Sequence, residues 1–451
     1  VAPETVKALR ELKATGRKLI LVTGRDLADL KGAFPELELF DRVVAENGAL
    51  IHNPADAGEK TLGHPPPPEF IQALRNRNVT PLHLGRIIVA TREPHEETVL
   101  EAIREFGLEH QVIFNKGAVM ILPSGVNKAT GLSEALAQLK LSPANTVAVG
   151  DAENDNAMLE LCECAAAVSN ALPRLKERAD LVTAGEAGEG VSELAGRLIA
   201  ADLQELAPKL SRHWITIGHR ADGSSVRLDP YARAVLLAGA SVAGKSIFAS
   251  AFLEALTGGG YQFFVLDPEG DYGGFGEAVV LGDAHVPPSA NELVRVLETP
   301  GHSVVASTLA IPFPDRPAFF HSLLPHLIDL RRSGGRPHWI VIDEAHHLMP
   351  NAPTAALRPE FQPDTHGIFL ITVEPEHVNL DLLRLVDWVF AIDEAPEAVL
   401  ERFAEALGED WPASPGPHNL ERGEALVWRR DGSEPPFRMR IIPRPPLSPF
   451  A

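Results

Sequence analysis

Lys18-Leu-Ile-Leu-Val-Thr23-Gly24-Arg25 is a short apolar run that ends abruptly in a hydroxyl, a glycine and an arginine. It reads as a buried strand feeding a loop and then a helix, the βα unit of an α/β fold. Upstream, Val6, Leu9 and Leu12 recur at helical spacing until Gly16. Downstream, Arg42-Val-Val-Ala45 is a second strand-like run ending at Glu46-Asn47-Gly48. Four consecutive prolines, Pro65 to Pro68, then exclude helix or central strand. Beyond them the pattern predicts a helix over 69–77, a strand over 86–91, a helix over 95–106 and strands through Ile121. This stretch reads as an inserted α/β domain. The parent fold resumes with a helix from Lys128, the strand Thr146-Val-Ala-Val149 and the loop Gly150-Asp-Ala-Glu-Asn-Asp155.

A second α/β module begins at Ala234-Val-Leu-Leu-Ala238, which enters a glycine-rich loop. Further strands are predicted over 262–266, 303–307, 338–342, 367–372 and 388–392. The expected organisation is a core over 1–53 and 122–206, a cap over 54–121, and a second domain over 212–451 with a proline-rich tail. The 451 residues carry a net charge of −20, 45% hydrophobic and 23% charged residues. That balance fits soluble globular domains and argues against a general nucleic-acid-coating protein, which needs dense Lys and Arg. Two cysteines, Cys162 and Cys164, provide no disulfide framework. They sit in a small-residue segment with no second ligand pair, so structural packing is expected. A cytoplasmic location is expected from the low cysteine use. No apolar run is long enough to span a membrane.

In the first module Thr23, Lys128, Asp151 and Asp155 fall at predicted strand ends or loops, where open parallel sheets bind ligands. A hydroxyl, an ammonium and paired carboxylates suit a phosphate with a divalent cation. Leu21-Val-Thr-Gly-Arg25, Asn127-Lys128-Ala-Thr-Gly131 and Val149-Gly-Asp-Ala-Glu-Asn-Asp155 resemble the second, third and fourth motifs of haloacid dehalogenase-like phosphatases. The insertion resembles the cap of their Cof-type and sugar-phosphate branch. The resemblance implies a Rossmann-like core hydrolysing small phosphorylated metabolites. Thr23 would bind the phosphoryl group and Lys128 would steady it, while Asp151 and Asp155 would hold Mg²⁺. Gly24, Arg25, Asn47 and Asn154 would contact substrate. The family's first motif, an aspartate pair that includes the nucleophile, is not found in this chain. An N-terminally incomplete chain is the expectation preferred over a lost activity, and no phosphatase turnover is expected from it as it stands.

In the second module Gly239-Ala240-Ser241-Val242-Ala243-Gly244-Lys245-Ser246 matches the phosphate-loop pattern G-x-x-x-x-G-K-[ST] between a strand and a helix. His338-Trp-Ile-Val-Ile342-Asp343-Glu344 is an apolar strand ending in two carboxylates, a Walker B pattern. ATP is the expected ligand. Lys245 would meet the β/γ oxygens, Ser246 and Asp343 would serve Mg²⁺, and Glu344 would polarise the attacking water. A zinc reading of His346 and His347 fails, because position 343 is not the first histidine of H-E-x-x-H. With Asp267-Pro-Glu-Gly-Asp-Tyr272, residues 212–443 resemble the HerA/FtsK group of ring-forming ATPases. That likeness implies a P-loop NTPase domain and ring-like homo-oligomers. A motor acting on nucleic acid is the alternative to a bifunctional hydrolase, and nucleic acid is not otherwise indicated. Two departures stand out: Val373-Glu374-Pro375 follows the 367–372 strand where the group places Gln or Asn, and no DNA-gripping loop is evident. Arg384, Arg402 and Arg422 are arginine-finger candidates only. Arg331, Arg332 and Arg336 form a basic cluster, either a nucleic-acid contact or a solvated loop.

Overall fold

A computed structural model describes residues 2–206, 210, 213–240, 244–351, 365–411 and 419–441. The chain divides into two compact units, residues 1–210 and 211–451. Among the described residues, no helix is long and apolar enough to cross a membrane.

The first unit carries three small sheets. β1 (Ile20–Val22) pairs in parallel with β2 (Arg42–Ala45), which continues antiparallel through β3 (Leu50–Asn53) to β4 (Gly58–Thr61). Residues 58–61, placed in the insertion by sequence pattern, thus extend the core hairpin. A four-stranded antiparallel sheet follows, from β5 (His83–Leu84), β6 (Val89–Arg92), β7 (His110–Asn115) and β8 (Ala118–Pro123), in the order β5-β6-β8-β7. Helices Pro68–Asn76 and Glu96–Glu105 cover it through Phe70, Leu74, Val99 and Ile103. The third sheet is parallel, built from β9 (Val147–Gly150), β10 (Cys164–Ala167) and β11 (Leu181–Val182). Cys162 and Cys164 are buried and free.

The helix Lys128–Gln138 packs on β1, β2 and β3 and also on the helix Asn156–Leu161, which lies against β9 and β10. Ile20 and Val22 accordingly share a core with Leu132, Ala148 and Ala165. Among the described residues, neither β1 nor β9 has a strand on its other side. Both are half-buried along most of their length, whereas all of β10 and Val43, Val44 and Ala45 of β2 are buried.

The second unit is built on one mixed sheet of eleven strands among the described residues. Its parallel centre comprises β14 (Ala234–Ala238), β15 (Phe263–Asp267), β16 (Ala278–Leu281), β17 (Ser303–Ser307), β18 (Trp339–Ile342), β19 (Ile368–Thr372) and β20 (Val386–Ala391). Their spatial order is β20-β14-β19-β18-β15-β17-β16. Antiparallel β21 (Glu424–Arg429) and β22 (Phe437–Ile441) extend the β20 edge to the hairpin of β12 (Ile215–His219) and β13 (Ser225–Leu228). Strands β14, β15, β18 and β19 are buried throughout, as near-continuous apolar sequence requires of a sheet covered on both faces.

Arg331 and Arg336 of the basic cluster turn inward and do not form a solvated loop. Arg336 is 2% exposed and donates to Gln262 Oε1 and to the Leu297 and Glu298 carbonyls. Arg331 caps the carbonyls of Pro337, His338, His366 and Gly367. Arg332 alone is exposed, beside Asp329 at 3.7 Å. Both inner guanidiniums satisfy backbone acceptors that would otherwise be buried without donors.

Candidate functional sites

In the first unit, strand ends bring the polar motifs together. Thr23 follows β1; its N–H donates to the Val44 carbonyl (2.8 Å) and its carbonyl accepts from Asn47 N–H (2.9 Å). Asn127 caps the helix Lys128–Gln138, with its Oδ1 accepting from Ala129 and Thr130 N–H. A Cβ on Gly48 would collide with the Asn127 carbonyl, so glycine is needed where the two loops cross. Lys128, 7% exposed, donates to Asp155 Oδ1 at 2.6 Å. Asp155 Oδ2 accepts from the N–H groups of Asp151 and Ala152. Both Asp155 oxygens are therefore committed to shaping the loop and holding Lys128, while Asp151 remains half-exposed. Asn154 Nδ2 donates to Asn47 Oδ1 at 2.8 Å, and Asn47, fully buried, has no partner for its Nδ2 among the described residues. Arg25 is turned outward onto Asp29 at 2.6 Å.

The capping sheet reaches this loop cluster twice. Lys116, at the tip of the β7–β8 hairpin, donates to Asp151 Oδ2 at 2.7 Å. That bond, with the charges of Asp151, Asp155 and Glu153, raises the lysine above its usual range. Glu46, 1% exposed, accepts the N–H groups of Arg86 (2.7 Å), Ile87 (2.8 Å) and Ile88 (3.0 Å). These amides turn to a carboxylate instead of a neighbouring strand. The strand expected over 86–91 is accordingly interrupted, and β6 begins only at Val89.

The second unit presents a different cluster at the C-terminal ends of its central strands. Gly239 N–H donates to the Thr372 carbonyl (3.2 Å), and Ala240 N–H to Asp393 (3.1 Å). Ser241, Val242 and Ala243 lie outside the described residues. Gly244, at φ +96°, caps the helix Lys245–Gly258. Lys245 is 6% exposed and donates to the Gly239 carbonyl at 3.2 Å. Ser246 Oγ donates to Asp271 Oδ2 at 2.5 Å. Asp267, fully buried at the end of β15, accepts from the N–H groups of Gly270, Asp271 and Tyr272 and thereby shapes that loop. Burial, reinforced by Glu344, Asp267 and Asp271, pushes the Asp343 carboxyl up to about 8. Such a group gains from a neighbouring cation. Glu344 sits at φ +50°, 3.5 Å from His346 Nδ1, and His346 Nδ1 lies 3.0 Å from Thr372 Oγ1. Burial lowers His346 to about 4, so its ring is neutral. Glu344, His346 and His347 offer donor atoms within 4.8 Å of one another. A cavity of about 450 Å³ adjoins this cluster, lined by Glu269, Asp271, Phe313, Arg316 and Glu344 among others. Arg384 pairs with Asp381, and Arg402 with Glu376.

A family model for haloacid dehalogenase-like hydrolases matches residues 1–80 and 66–194. Phosphoglycolate phosphatase of Methanothermobacter thermautotrophicus is 32% identical over 204 residues, 44% of this chain and 90% of that relative. The chain belongs to the haloacid dehalogenase-like hydrolases. Phosphoglycolate phosphatase 2 of Saccharolobus solfataricus is 30% identical over 189 residues, covering 41% and 78% of the two chains. A haloacid dehalogenase-like hydrolase structure from Bacteroides thetaiotaomicron matches with 18% identity and a TM-score of 0.39, covering 44% of this chain and 92% of that one.

Within the hydrolase unit, motif reading named Thr23, Lys128, Asp151, Asp155, Asn47 and Asn154, and these side chains or their loops do converge. It missed Glu46 and Lys116, whose partners are 40 and 35 residues away. The Asn115-Lys116-Gly117 triplet between alternating residues was the available hairpin signal. In the second unit it passed over Asp271, which Ser246 marks, and the contact of Thr372 with His346.

Proposed function

We propose that the hydrolase unit carries a Mg²⁺-dependent phosphomonoesterase site for small phosphorylated metabolites, and that the second unit binds and hydrolyses ATP. The relatives named phosphoglycolate phosphatases support small substrates in the first case. The observation that carries this reading is the buried Lys128–Asp155 pair beside half-exposed Asp151 and the unsatisfied Asn47 Nδ2. Asp151 offers hard oxygen to Mg²⁺, and Asp155 acts chiefly by fixing Lys128 and the loop. Bound Mg²⁺ would supply charge neutralisation on the phosphoryl oxygens. Thr23 Oγ1 and neighbouring backbone amides would orient those oxygens, and Lys128 would balance their charge. The capping sheet, held by Glu46, would exclude water. The family's nucleophile is an aspartate on a neighbouring strand. The open edges of β1 and β9 are where a parallel strand bearing it would pair.

In the second unit, the reading rests on Gly244-Lys245-Ser246 after β14 and Asp343-Glu344 after β18, at the same ends of two parallel strands that flank β19. Exposed backbone amides at a helix N-terminus favour phosphate oxygens. Lys245 would leave the Gly239 carbonyl for the β/γ-phosphates. Ser246 and Asp343 would hold Mg²⁺, with Asp271 as an added oxygen donor. Glu344 would orient the attacking water, and His346 would link it to Thr372 in the strand position where a sensor is expected. Steady-state phosphate release from ATP should fall at least a hundredfold in Lys245→Ala; unchanged turnover would refute the assignment.

A further inference from the structure

Asp343-Glu344-Ala345-His346-His347 lacks the H-E-x-x-H spacing, yet the fold gathers three of its side chains into another donor set. Glu344 stands at φ +50° and ψ +47°, immediately before the four-residue helix Ala345–Leu348. Residues two apart in a regular helix do not face each other. The left-handed backbone at Glu344, uncommon for any residue but glycine, departs from that geometry. Glu344 Oε2 consequently lies 3.5 Å from His346 Nδ1. That separation is long for a hydrogen bond. It is close to the edge of about 3.4 Å between donors of a tetrahedral site with bonds of about 2.1 Å. The His346 and His347 rings also meet, with centroids 3.9 Å apart. One donor atom from each of Glu344, His346 and His347 lies within 4.8 Å of the others, and among the described residues no other such trio is gathered this closely. Phe313 meets the His347 ring edge-on at 4.8 Å, and Thr372 Oγ1 lies 3.0 Å from His346 Nδ1. Glu344 and His347 both line the cavity of about 450 Å³, so a water can complete the set from that side.

We propose that Glu344, His346 and His347 form a site for a zinc-class transition-metal cation, which switches off ATP hydrolysis without displacing the nucleotide. Two imidazoles and a carboxylate suit such an ion, whereas Mg²⁺ prefers an octahedral shell of oxygens and competes poorly here. The inhibition, though not the site, rests on the ATPase reading of the second unit. Zinc held between Glu344 Oε2 and His346 Nδ1 takes the carboxylate that orients the attacking water and displaces Thr372 from the imidazole. Lys245, Ser246 and Asp343 stay in place for phosphate and Mg²⁺. His347 has no part in the Mg²⁺–ATP chemistry and is exposed, which makes it the residue to vary.

Calorimetric titration of the nucleotide-free chain with Zn²⁺ tests the site. The unsubstituted chain is expected to bind with a Kd of about 1 μM or tighter, and His347→Ala should weaken that binding at least tenfold. Steady-state phosphate release from Mg²⁺–ATP tests the switch. Free Zn²⁺ at about ten times its Kd should lower turnover about tenfold, and chelation should restore it. His347→Ala should keep its turnover in Mg²⁺ alone, which also shows that it folds, and should lose the inhibition. Absence of micromolar Zn²⁺ binding, or binding and inhibition unaltered in His347→Ala, would overturn the proposal and leave the ATPase reading standing. Zinc that binds without slowing turnover would overturn the switch. Absence of turnover in Mg²⁺ alone would overturn the ATPase reading and the inhibition together, while the titration still decides the site.

Discussion

The sheets of the two units differ in completeness. In residues 211–451 the central strands form one continuous sheet, and β14, β15, β18 and β19 are buried along their whole length. In residues 1–210 the parallel strands fall into two groups, and β1 and β9 are more open than the β2 and β10 strands beside them. In the second unit apolar burial forms a continuous frame, crossed by buried polar links such as Arg336 to Gln262 and His346 to Thr372. In the first unit buried or part-buried polar links join distant segments across separate sheets: Glu46 to residues 86–88, Lys128 to Asp155, Asn47 to Asn154.

The sharpest way to break that contrast is a pair of core truncations. Phe264→Ala, fully buried in β15, should cost about 3–5 kcal/mol, because transfer energy is lost and a cavity remains. Val22→Ala, on the half-buried β1, should cost about 1 kcal/mol by its smaller buried area. Denaturant unfolding followed separately for each unit checks both values, and equal losses would erase the distinction. Glu46→Ala should fall between them at about 2–4 kcal/mol, since the Ile87 and Ile88 amides lose a buried acceptor. Hydrogen exchange at those two amides should accelerate while exchange in the second unit stays unchanged. Unaltered protection at Ile87 and Ile88 would show that the carboxylate does not hold the capping sheet.

Much of the architecture was legible because its signals are local. Apolar runs ending in Thr23-Gly24-Arg25 or in Gly239 announce strand, loop and helix within a dozen residues. The four prolines separate β4, which belongs with the core hairpin, from a helix that the last of them, Pro68, opens at a position where its missing N–H costs nothing. What escaped depends on contacts between segments far apart in sequence. Nothing near Arg331 or Arg336 tells that both guanidiniums fold inward onto carbonyls, so a run of basic residues looked like surface. Glu46 reads as one more polar residue after a strand until the amides of residues 86–88 are placed above it. Lys116 reads as turn punctuation until its hairpin is laid over Asp151. Arg25 pairs with Asp29, one helical turn on, a contact its motif position gave no sign of.

The proposed reading gives one chain two phosphate-binding sites built on separate frames. Calorimetric binding of phosphoglycolate and of a slowly hydrolysed ATP analogue, both in Mg²⁺, should be measured on the unsubstituted chain, on Lys128→Ala and on Lys245→Ala. Two independent sites predict that Lys128→Ala weakens phosphoglycolate at least tenfold and leaves the nucleotide unchanged, with Lys245→Ala doing the converse. Loss of both ligands in either variant, or of neither in both, would contradict the account.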